Sequence, residues 1–170
     1  MRKTMMVAVL VLSAAPAMAQ QPVSSVVIAD QAPYSNKDII NSAIVNECDL
    51  PHRVTEQLGI ALGKNGIEAK TVAEPKPGSG DNVLLLEIAA AEASGNAFTG
   101  HHKAVTVTGK LYQHGKQVAT FVNTRASMGG AFGGYKGSCA VLGRCTVTIG
   151  EDIAHWLKSP VDGAKLGDQR

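Results

Sequence analysis

The sequence predicts an α+β fold, a two-layer sandwich in which a mostly antiparallel sheet of about five strands carries two helices on one face. Three observations predict it. Two stretches, near residues 50–62 and 138–157, repeat apolar residues at helical spacing. Residues 102–127 alternate in two-residue period about a His114-Gly115 turn. The elements also follow in the order strand, helix, strand, three strands, helix, which leaves each with one apolar side to bury against the other layer.

The first nineteen residues, MRKTMMVAVLVLSAAPAMA, have the pattern of an export leader. Arg2 and Lys3 give a positive start, residues 5–12 an apolar run too short to span a bilayer, and Ala17-Met18-Ala19 a small-x-small cleavage site. Cleavage after Ala19 would make Gln20 the first mature residue. With no cysteine at that junction, a lipid anchor on a new N-terminal cysteine is not expected, and the location predicted is periplasmic or secreted. Removing nineteen residues from 170 leaves 151, enough for one domain with a populated core. That domain is expected over residues 20–160, with a glycine-rich connector at 127–138 and a flexible polar tail at 161–170.

The first mature element is a strand at 23–29, rich in β-branched residues and bounded by Pro22 and Asp30. Residues 30–46 are mixed and predict no clear element. Asp49 is placed to cap a helix whose apolar residues Leu50, Val54, Leu58 and Leu62 recur every four positions, with Asn65-Gly66 as its stop. A strand follows at 67–72, and residues 74–80 are turn material. Residues 82–91, with their continuous run Val83-Leu84-Leu85-Leu86, suit the middle of a sheet. The alternating segments 102–113 and 116–127 complete an antiparallel meander. Ser138 is placed to cap a last helix carrying Leu142, Cys145, Ile149, Ile153 and Trp156-Leu157, ended by Ser159-Pro160.

Three cysteines remain after the leader: Cys48, Cys139 and Cys145. In an oxidising compartment two of them should pair and one should be left over. If 138–158 is one continuous helix, Cys139 and Cys145 stand about 9 Å apart along its axis and cannot bridge each other, so Cys48 takes one of them. If Gly143-Arg144 breaks the helix, the two could close a small loop. The long-range bridge is favoured. The spacing matches no zinc pattern.

Charge and composition exclude several classes. The leader takes two of the sixteen basic residues with it, leaving 14 against 14 acidic ones. A chain without net charge or a Lys/Arg cluster has no field to draw it to a phosphate backbone, so no nucleic-acid partner is expected. After the leader no apolar run approaches the roughly eighteen residues of a spanning helix, so an integral membrane protein is not expected. Aromatic residues are 4% of the chain, too few for a carbohydrate-stacking surface.

Few residues suggest chemistry. The glycine-rich segment after Ser127 offers Gly129, Gly130, Phe132, Gly133, Gly134 and Tyr135 as candidates for a partner or ligand surface; its simpler reading is a connector from the last strand to the last helix. Its spacing matches neither a P-loop nor a dinucleotide fingerprint. His101 and His102 are weak metal candidates, because neighbours in a strand point to opposite faces. His114, at the far end of the same strand, cannot share a site with them. There is no G-x-S-x-G elbow and no S-x-x-K, and Glu151-Asp152 diverge on a helix rather than face each other, so no enzyme and no cofactor are predicted. Asp152 and Glu151 read as the helix's polar face.

The segments Ser127-Met128-Gly129-Gly130-Ala131-Phe132-Gly133-Gly134 and Ile149-Gly150-Glu151-Asp152-Ile153-Ala154-His155-Trp156-Leu157, in an exported domain of this element order, resemble uncharacterised bacterial periplasmic families with a fold like the N-terminal domain of TolB. That resemblance implies a binding or assembly role in the cell envelope and brings no catalytic residue with it. The function expected is therefore a non-catalytic exported module binding an unknown envelope protein or component, its oligomeric state open. The alternative is a periplasmic small-ligand or metal binder using His101, His102 or the unpaired cysteine.

Overall fold

The computed structural model describes residues 22–78, 80–96, 100–127 and 137–168. Its sheet has six strands in the order β2-β1-β3-β4-β5-β6. The strands are β1 (Ser25–Ala29), β2 (Glu68–Val72), β3 (Val83–Asn96), β4 (Gly100–Gln113), β5 (Lys116–Ser127) and β6 (Ala164–Gly167). The helices are α1 (Ser42–Glu47), α2 (Leu50–Lys64) and α3 (Ser138–Leu157). The α+β class stands, with a third helix, α1, beside the two expected and with two corrections to the sheet. Among the described residues there are six strands rather than five, and the sheet is mixed: β3-β4 and β4-β5 pair antiparallel, whereas β1-β2, β1-β3 and β5-β6 pair parallel. Parallel pairing follows from connectivity. Crossing from β1 through α2 to β2 returns the chain in the same direction, a helical crossover that a hairpin cannot make.

The β4-β5 hairpin forms as its sequence dictates. His114 and Gly115 both have positive φ, 50° and 77°, the backbone of a two-residue turn whose twist suits the flanking strands. Alternation puts Leu84, Leu86 and Ile88 of β3, Val105, Val107 and Leu111 of β4, and Ala119 and Phe121 of β5 into one core beneath α2 and α3. Phe121 closes this layer edge-to-face on Trp156, ring centroids 4.9 Å apart and 68° between planes. Opposite Phe121 in the register stands Gly109, where any Cβ would collide with the Phe121 ring.

Helix α2 starts one residue after Asp49, as expected, but Asp49 does not cap it with its side chain. Its backbone is left-handed, φ 47°, and Pro51 occupies the first turn. At the other end Gly66, φ 73°, takes the left-handed position that stops the helix. Helix α3 runs unbroken for 20 residues, and its N-cap is Gly137 rather than Ser138. The segment 30–46, which predicted nothing clear, holds a 3-10 turn at Lys37–Ile39 and α1, begun by Asn36 and Asn41 side chains that accept from Asp38 and Ala43 amides. The expected flexible tail at 161–170 is corrected in part: Ala164–Gly167 is β6, in parallel register with Phe121–Thr124 of β5. No helix among the described residues is long and apolar enough to cross a membrane.

Helices α2 and α3 pack so closely that a Cβ on Gly150 would lie 2.8 Å from the Gln57 carbonyl oxygen. At Gly59 of α2 nothing stands within 4 Å of such an atom. The same substitution should therefore act in opposite directions. Gly150→Ala should destabilise the protein by about 1–3 kcal/mol through overpacking against backbone, and Gly59→Ala should stabilise it by up to about 1 kcal/mol through helix propensity, both read from urea midpoints.

Candidate functional site

The cysteines form one bridge, Cys48–Cys139, with Cα atoms 4.9 Å apart and 91 residues of separation. It joins the residue that ends α1 to the first turn of α3. Cys48 is buried, and beside the bridge opens a cavity of about 290 Å³ lined by Asn41, Ile44, Glu47, Ala93 and Ser138. Cys145, two turns further along α3, is free and buried at 3% exposure. Burial raises its thiol pKa, with Asp168 adding to the rise. A protonated thiol at neutral pH is a poor nucleophile.

The polar centre of the molecule lies at the far side of α3, where sequence reasoning had not looked. Arg125 sits at the end of β5 on the same parity as Phe121 and Asn123, so its side chain runs under α3 rather than into solvent. Its Nε donates to Asp152 Oδ2 at 2.7 Å and its Nη2 to Asp152 Oδ1 at 2.6 Å, a bidentate pair. Its Nη1 donates to Asp168 Oδ1 at 3.0 Å. The hydrogen bond with Asp152 is the chief reason its already high pKa rises further, so the guanidinium is charged at every relevant pH. Asp152 also accepts from Asn123 Nδ2 at 3.2 Å. Asp168 Oδ2 accepts from the Ala126 amide at 2.9 Å, and its own amide donates to the Thr124 carbonyl at 2.8 Å. Arg125 thus fastens α3 and the C-terminal strand to β5 together.

Next to this cluster is an open cavity of about 280 Å³ lined by Arg125, Ser127, Arg144, Cys145, Thr148 and Asp168. The charges of Arg125 are taken by two carboxylates, so its role is positional. Asp152, read from sequence as polar face, is only 19% exposed and belongs to this ion pair. The signal was present in the sequence. Arg125 follows Phe121 and Asn123 at two-residue spacing, and Asp152 lies between Ile149 and Ile153 on the apolar stripe of α3. A charge on each buried stripe implies that the two meet.

The other candidates are scattered. Gly129, Gly130, Phe132, Gly133, Gly134 and Tyr135 lie outside the described residues. His102 is exposed, its register partner Ser94. His101 stands opposite Gly95 in the backbone register, and His114 is in the turn at the other end of β4. Among the described residues no three His, Cys, Asp or Glu side chains come together as a metal site would require.

No family model and no curated protein matches the chain. Solved structures do resemble it. A DUF330 protein from Xanthomonas campestris superposes with a TM-score of 0.55 at 12% identity, covering 84% of this chain and 88% of that one. A minor lipoprotein from Acinetobacter baumannii gives 0.47 at 11% identity, over 79% and 92%. A PelC dodecamer from Paraburkholderia phytofirmans gives 0.46 at 14%, over 82% and 93%. The chain shares its fold with the DUF330 protein. At such identities the likeness is one of fold alone.

Two substitutions separate the two fastenings of α3. Asp152→Ala leaves Arg125 with one carboxylate and should cost about 1–3 kcal/mol, less than a fully buried pair because both groups keep some contact with water. Its urea midpoint should fall with the slope unchanged. Removing the bridge in the Cys48→Ser, Cys139→Ser double variant should cost up to about 4.6 kcal/mol, the chain-entropy value for a loop closed over a separation of 91 residues. A loss in that variant below about 1 kcal/mol would show that the bridge constrains little.

Proposed function

We propose that the protein acts outside the cytosol as a non-catalytic binding or assembly module of the bacterial cell envelope. The observation that carries this reading is the Cys48–Cys139 bridge. A disulfide between residues this far apart in a chain persists where thiols are oxidised, and the leader pattern of the first nineteen residues supplies the route there. The chemistry of the interior agrees. Arg125, Asp152 and Asp168 are committed to one another, and the free thiol is buried and held protonated. None of these groups is poised as nucleophile or base. The resemblance of the sequence to domains of the TolB N-terminal type supplies the envelope setting and stands as an expectation.

The test is fractionation of the native host, with thiols trapped by alkylation at lysis and cross-linking carried out in the intact cell. The expected product begins at Gln20, leaves with the periplasmic or envelope fraction, carries one bridge and one alkylated thiol, and forms a discrete adduct with a different envelope component. A cytosolic chain retaining Met1 with three reduced thiols would overturn the location. An exported chain that forms no such adduct would overturn the binding role.

A further inference from the structure

The two edges of the sheet differ. At one edge, β6 has four residues and ends in Gly167, whose φ is +78° and whose position leaves no room for a side chain beside the Thr124 carbonyl. At the other edge, β2 reads Glu68-Ala69-Lys70-Thr71-Val72, and its first four residues are exposed. Among the described residues, only one side of this strand is hydrogen-bonded. The Glu68 amide donates to the Ser24 carbonyl at 2.9 Å and the Val72 carbonyl accepts from the Asp30 amide at 3.0 Å, so even-numbered residues turn their main-chain groups toward β1. Because these groups alternate along a strand, Ala69 and Thr71 direct their amides and carbonyls away from the sheet.

We infer that the free edge of β2 is a self-association surface that pairs antiparallel with β2 of a second copy, Ala69 opposite Ala69 across a two-fold axis. The charges select this register. Glu68 and Lys70 lie on one face of the strand, two residues apart, and neither has an ion-pair partner among the described residues. With Ala69 at the axis, Glu68 of each copy stands opposite Lys70 of the other. These are non-hydrogen-bonded positions, where facing side chains come closest. Moving the centre by one residue sets Glu68 against Glu68 or Lys70 against Lys70, and both arrangements are repelled. Main-chain bonding agrees with the charges. Ala69 exchanges two hydrogen bonds with its counterpart, and each Thr71 amide reaches the Ile67 carbonyl of the other copy. The Ile67 amide is already committed to Leu62 at 3.0 Å, so only its carbonyl is required.

A two-fold axis perpendicular to the sheet keeps both helix layers on the same side and extends two six-stranded sheets into one. The partner is a second copy because the strand's charge pattern is complementary to itself. The inference is independent of the envelope reading, since it rests on β2 alone.

Sedimentation equilibrium of the mature protein, up to about 1 mM and so tenfold above a Kd on the order of 100 µM for so small an interface, is the primary test. The expected result is a concentration-dependent dimer. Ala69→Pro removes only an outward amide, costs no bond within the sheet, and should leave a folded monomer. Lys70→Glu and Glu68→Lys should each raise Kd by about tenfold or more, and the double exchange should return it to within about threefold of the wild type. A wild type monomeric throughout the range, a dimer indifferent to Ala69→Pro, or single reversals that the double exchange does not rescue would each overturn the inference.

Discussion

The bridge between Cys48 and Cys139 constrains the whole architecture, because the chain it encloses contains α2 and strands β2, β3, β4 and β5. Everything between the end of α1 and the first turn of α3 is thereby closed into one covalent loop. Cys139 lies two residues ahead of Val141, the first fully buried residue of α3. The covalent link therefore sets where α3 begins independently of the contacts that seat it. Further along α3 the close approach of Gly150 to the Gln57 main chain leaves no room for a side chain, so the small residue at 150 serves packing rather than flexibility.

The other end of α3 is held by polar and aromatic contacts. Trp156 meets Phe121 edge-to-face and donates from Nε1 to the Val161 carbonyl at 3.1 Å, which turns the chain back toward the sheet. Thr120 then donates to Asp162 at 2.7 Å and accepts from the Gly163 amide at 3.1 Å, delivering residues 164–167 to the edge of β5. Arg125 completes the fastening through Asp152 and Asp168. This order explains a cost the structure carries. Asn123 Oδ1 is buried beneath Gly167 without a hydrogen-bond partner among the described residues, a penalty of about 1–3 kcal/mol that the surrounding contacts offset.

These contacts also explain what was legible in the sequence. Elements whose reason is local could be read: the period of α2, the alternation on either side of His114-Gly115, and the bounds 116–127 of β5, which the structure reproduces. Elements whose reason is distant could not. Residues 164–167 have one large apolar residue, Leu166, and become a strand only because β5 offers an open edge and Asp168 finds Arg125 and the Ala126 amide. The long-range bridge followed once α3 was taken as continuous, because an unbroken helix keeps Cys139 and Cys145 apart; which of the two pairs with Cys48 depends on where α3 begins in space. The Arg125 cluster was half visible. Parity on β5 and the stripe of α3 each exposed one charge out of place, but 27 residues separate Arg125 from Asp152, and no local pattern spans that distance.

The two sheet edges show how a mixed sheet can be closed on one side and selective on the other. An edge is usually protected by shortness, by strain or by charge, and each means acts differently. Shortness and a left-handed glycine blunt β6, whatever the sequence of a strand that approaches it. Charge on β2 does not exclude; it discriminates. A strand bearing charges of one sign would repel copies of itself in every register, whereas Glu68 and Lys70 on one face repel in the registers that bring like against like and attract in the register between them. The full chain carries a formal net charge of only +2, so little long-range field keeps copies apart. The choice between separate and associated molecules then falls to these two side chains and to the outward-facing main-chain groups of Ala69 and Thr71.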